Sequence, residues 1–78
     1  MPTPDDVKCW IEAGLDGSSA DVVGDGRHFE AIVICPEFAG KIMLEQHRMV
    51  YSGLGEKMEL IHALSLKTYT PEQWANGA

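Results

Sequence analysis

At 78 residues the chain has room for one modest core, which argues against a multi-site enzyme carrying its own cofactor domain. An apolar content of 45% with 23% charged residues fits a folded globular chain and excludes general disorder. Six basic against twelve acidic residues give a net charge of −6, which opposes the electrostatic attraction that nucleic-acid binding relies on.

Thr3-Pro4-Asp5-Asp6 has the form of a helix start: a hydroxyl cap, proline at the first helical position, then acids at the positive end of the helix dipole. Val7, Trp10 and Ile11 follow at helical spacing, and Gly14 is suited to end the segment as a left-handed residue, so a helix is expected over residues 4–13. Residues 20–23 and 29–35 are β-rich runs around Gly24-Asp25-Gly26-Arg27, where Asp-Gly suits a hairpin turn, and they are expected to pair antiparallel. Pro36 stops the second run.

From Lys41 to about Leu54, Met43, His47, Val50 and Leu54 form one stripe with Leu44 and Tyr51 beside it, as in a helix packed on a sheet. Gly53 and Gly55 break it, and a further helical turn is expected at residues 56–60. Residues 61–69 alternate as a third strand, with Leu64 and Leu66 on one face and Ser65 and Lys67 on the other. Thr70-Pro71-Glu72-Gln73 then opens a short last helix through a capping box, with Trp74 as its anchor. The order α-β-β-α-(α)-β-α implies an α+β fold, a three-stranded sheet covered by helices on one face, within one domain spanning residues 1–78.

The longest apolar run, from Ala31 to Cys35, is far too short to cross a bilayer, and no basic-then-apolar leader opens the sequence. A soluble, cytoplasmic protein is expected. Cys9 and Cys35 lack the spacing of a disulfide framework and are read as reduced thiols in or near the core. Phe29, Phe38, Tyr51 and Trp74 are assigned packing roles. Lys41, Arg48, Lys57 and Lys67, the candidates for a basic patch, are read as scattered solvated charges.

Two stretches go beyond generic patterning: Gly24-Asp25-Gly26-Arg27-His28-Phe29-Glu30, and the run from Ile61-His62-Ala63-Leu64-Ser65-Leu66-Lys67 through Thr68-Tyr69-Thr70-Pro71-Glu72-Gln73-Trp74. With Phe38-Ala39-Gly40-Lys41 and His47-Arg48-Met49-Val50-Tyr51 between them, the chain resembles the BolA family over residues 3–75. The resemblance implies a fold similar to the type II KH domain, and a role as partner of monothiol glutaredoxins in iron–sulfur trafficking and iron regulation. It also implies a shared 2Fe-2S cluster, with the glutaredoxin cysteine and a glutathione thiolate on one side and BolA ligands on the other. The strand-start ligand of that pattern falls on His62, and the hairpin-loop ligand on His28, which places the chain in the histidine-loop group. Two departures stand out. Gln46-His47-Arg48 replaces a common Arg-His-Arg, weakening any basic surface there, and Cys35 stands where serine is common.

Without the resemblance, a single histidine reads as a surface or satisfied core residue. With it, His28 and His62 become cluster ligands projecting from one end of the sheet. Two imidazoles cannot hold such a cluster alone, so the isolated chain is expected to carry none. His47 lies on the apolar stripe and is read as a partly buried residue hydrogen-bonded to backbone. No nucleophile-and-base motif is visible, and the chain is read as a non-enzyme. The alternative is a KH-like nucleic-acid-binding transcription regulator, but the GxxG loop that such recognition uses is missing between the helices. A metal-free interaction module is the third reading.

Overall fold

The computed structural model describes residues 1–77. Helix α1 (Pro4–Gly14) is followed by strands β1 (Ser19–Gly24) and β2 (His28–Ile34), then by a 3-10 turn at Pro36–Phe38. Helix α2 (Met43–Leu54) runs into a 3-10 segment (Gly55–Leu60), strand β3 (Ala63–Tyr69) and helix α3 (Pro71–Ala75). The fold is α+β, and its helix starts are chemically marked. Thr3 Oγ1 accepts from the Asp6 N–H while the Asp6 carboxylate accepts from the Thr3 N–H, and Thr70 and Gln73 repeat the arrangement at α3. At α2, Glu45 reaches back to the Ile42 N–H at 3.4 Å.

The sheet has the order β1-β2-β3, with β2 in the middle. β1 pairs antiparallel with β2 from Ser19↔Ile34 to Gly24↔Phe29, while β3 pairs parallel with β2 from His28↔Ala63 to Ile34↔Tyr69. A parallel neighbour requires a crossover, here the whole α2 excursion. Alternation along the strands sends Ala20, Phe29, Ala31 and Val33 inward, where they meet Val7 and Ile11 of α1 and Val50 and Leu54 of α2. Cys35, Phe38 and Ile61 close the core from the loops. The opposite face stays open, with a depression of about 250 Å³ bordered by Val23, Glu30, Ile32 and Lys67.

Several expectations are corrected. Gly14 is not left-handed; the residue after it, Leu15, is extended and ends the helix. Its role is contact: a Cβ at Gly14 would fall 2.1 Å from the Gly53 carbonyl oxygen, so the two helices meet glycine on glycine. Met43 is exposed, and its expected place on the buried stripe goes to Gln46. That amide is saturated, Nε2 donating to the Phe38 and Lys41 carbonyls (3.1 and 2.9 Å) and Oε1 accepting from the Thr68 hydroxyl (2.6 Å). A polar side chain enters the core at little cost when every donor and acceptor is matched. Tyr51 and Trp74 are also exposed rather than core anchors, Trp74 lying against Tyr69 with ring centroids 5.4 Å apart. Cys9 faces solvent while Cys35 is buried, because Cys9 falls on the side of α1 away from Val7 and Ile11. His47 is half-buried as expected, yet its Nε2 has no hydrogen-bond partner.

Candidate metal centre

The chain segment before His28 is shaped by one carboxylate. Asp25 Oδ1 accepts from the backbone N–H groups of both Arg27 and His28 at 2.9 Å, and the Asp25 N–H donates to the His28 carbonyl at 3.2 Å. Asparagine and aspartate favour such self-closing turns because the side chain mimics a backbone acceptor. The His28 and Arg27 N–H groups, in that order, hold the Asp25 carboxyl below its usual range. Gly26 supplies the positive φ of 98° that the reversal needs.

The turn is then joined to the third strand. The Arg27 carbonyl accepts from the Ala63 N–H at 3.0 Å, and His28 lies opposite Ala63 in the parallel register. This places His62, the residue before β3, next to His28. Their rings stand edge to face, with centroids 5.7 Å apart and planes at 82°, and both residues are exposed. Two imidazoles on one tetrahedral ion at metal–nitrogen bonds of about 2.0–2.1 Å hold their centroids about 5 Å apart, a spacing close to that of this pair.

A groove of about 630 Å³ adjoins His62, lined by Asp6 and Trp10 of α1, Gly26 and Arg27 of the turn, and Glu59 and Leu60 before β3. Lys57 Nζ sits 5.3 Å from the centre of the Trp10 ring. Sequence reasoning missed this groove, because its walls come from separate segments and no local pattern joins them. It also saw Asp25 only as a turn former, not as the acceptor that holds the His28 backbone.

The structure brings His28 and His62 together and leaves His47, Cys9 and Cys35 elsewhere. Cys35 Sγ points to the Asp16 carbonyl at 3.6 Å. Among the described residues, no group of three or more histidine, cysteine or acidic side chains gathers to hold a metal. A 2Fe-2S cluster leaves two terminal positions on each iron, and imidazole pairs are competent ligands for one of them. Two imidazoles fit one half of such a ligand set.

None of the described helices is long and apolar enough to cross a membrane. A model for the BolA-like protein family matches residues 13–73. The chain is 40% identical to protein BOLA2 of Arabidopsis thaliana over 95% of its own length and 85% of that protein's. It is also 40% identical to the DNA-binding transcriptional regulator BolA of Escherichia coli, over 65% of this chain and 50% of the relative. A solved structure of a BolA homologue from Coxiella burnetii superposes with a TM-score of 0.93 at 53% identity, covering 96% of this chain and 99% of the other. By fold and by sequence, the chain belongs to the BolA-like family.

Proposed function

We propose that the protein is a non-enzymatic, cytoplasmic iron–sulfur adaptor that binds a monothiol glutaredoxin and shares a 2Fe-2S cluster through His28 and His62. The observation that carries this reading is the ring pair itself, two exposed imidazoles 5.7 Å apart at one end of the sheet. The cargo cluster supplies the iron, and the partner's cysteine with glutathione supplies the thiolates. The chain's own part is to present two neutral nitrogens in fixed relation. The Asp25 turn fixes the His28 backbone, and the bond from Ala63 to Arg27 fixes its distance from His62. Neutral imidazoles bind iron less tightly than thiolates do and raise a cluster's reduction potential, which suits transfer or sensing rather than storage.

The regulator reading draws on the name of the Escherichia coli relative. Against it stand the charge of −6 and the lack of a GxxG loop between helices: Gly53-Leu54-Gly55 has one residue between its glycines, and Gly14-Leu15-Asp16-Gly17 carries an acid and leads into a strand. The test titrates the protein into cluster-loaded glutaredoxin under visible circular dichroism. A heterodimer spectrum distinct from that of the glutaredoxin homodimer is expected, and it is lost in His62→Ala. An unchanged spectrum and cluster lifetime in that variant overturn histidine ligation and leave a metal-free interaction module.

A further inference from the structure

We infer that the His28–His62 pair is also a chelate for a divalent cation of the copper, nickel and zinc class in the chain alone, without a partner. This deepens the reading above, resting on the same ligand pair and making free cations competitors of the shared cluster.

The ring spacing of 5.7 Å is close to that of two imidazoles on one ion, and both rings are open to solvent. Asp25 engages His28 through its backbone N–H and not its ring, which leaves the imidazole nitrogens available. The bond from the Ala63 N–H to the Arg27 carbonyl holds the two segments together before any ion arrives. Preorganisation of this kind lowers the ordering cost that a flexible pair would bear on binding. Asp6 and Glu59 border the groove next to His62, with Arg27 and the Met1 amine opposite in charge. Imidazole selects borderline metals over magnesium and calcium, which take oxygen ligands, and divalent affinity peaks at copper. Two protein donors leave the remaining positions to water, so the cation is exchangeable rather than structural.

The test uses the full chain with Cys9→Ser, which removes the exposed thiol as a rival ligand. Zinc, nickel and copper chlorides are added separately at neutral pH and followed by the histidine resonances. Trp10 fluorescence is read in a Trp74→Phe background, because Trp10 lines the groove beside His62. One equivalent is expected to saturate, copper tightest, perturbing His28 and His62 first. Either His28→Ala or His62→Ala should weaken binding at least tenfold, and magnesium should do nothing. The inference is overturned by an absence of saturation, by affinity unchanged in both variants, or by perturbation centred on His47. No glutaredoxin is present, so its failure is separate from failure of cluster sharing, which the heterodimer spectrum decides.

Discussion

At its N-terminal end β2 carries His28 into solvent on a turn organised by backbone hydrogen bonds to Asp25, whereas just past its C-terminal end Cys35 and then Phe38 are fully buried. One end of the strand is held by backbone hydrogen bonds, to Asp25 within the turn and from Ala63 of β3. The other is held by packing from α1, the 3-10 turn and α2. The difference separates accessibility from packing: the two imidazoles sit in solvent outside the core, and the side chains that fill the core sit where solvent does not reach.

Substitutions at the buried end should have the largest effect on folding. Phe38→Ala is expected to lose about 3–5 kcal/mol, the usual range for emptying a buried phenylalanine site. A chain of this length has a total stability on the order of 4–12 kcal/mol. Urea unfolding should show the loss as a lower midpoint at similar slope. Gln46→Ala, next in size, strands the Lys41 carbonyl and the Thr68 hydroxyl, while the Phe38 carbonyl keeps the Lys41 N–H. A cost of about 1–3 kcal/mol is expected in the same assay.

A smaller effect comes from acid. The Lys8 ammonium at 2.7 Å, and then the Ala20 N–H at 3.0 Å, hold the Glu12 carboxyl below its usual range. Because the folded value lies below the unfolded one, near 4.3, this contribution is present above that pH and is lost as pH falls through the folded value. As pH falls below about 4.3 and on through the folded value, the Ala20 amide resonance should move and its exchange protection should fall, and Glu12→Gln should remove the dependence.

The smallest effect on folding belongs to the exposed end. His28→Ala and His62→Ala should change stability by no more than about 0.5 kcal/mol, as exposed positions do, while the heterodimer cluster signal falls sharply in His62→Ala and less in His28→Ala. A large folding cost in either histidine variant would erase the division between the two ends.

The element order was legible because caps and breakers mark it: Thr3, Thr70, Pro36 and Asp25-Gly26 each act within a few residues. Boundaries slipped where the signal was weaker. The sequence pattern extends α2 over residues 41 and 42 and β3 over residues 61 and 62, because Ile42 and Ile61 at the element ends mimic continuation. The side chains that misled were those whose burial depends on tertiary partners. Gln46 finds two loop carbonyls and a strand hydroxyl, and Gly14 finds Gly53, across distances that periodicity does not encode. His28 and His62 could be named from a resemblance, but their meeting depends on the parallel register of β2 with β3, which no local pattern specifies.

That register has a consequence for folding order. The β1–β2 hairpin closes locally, whereas β3 docks beside β2 only after the chain has passed through all of α2 and paid the entropy of a long loop closure. The histidine pair therefore does not exist in a nascent or half-folded chain. Under the proposed ligand role, competence would arrive with the last strand, and a partner that reads two adjacent imidazoles would at the same time read whether the whole sheet has been assembled.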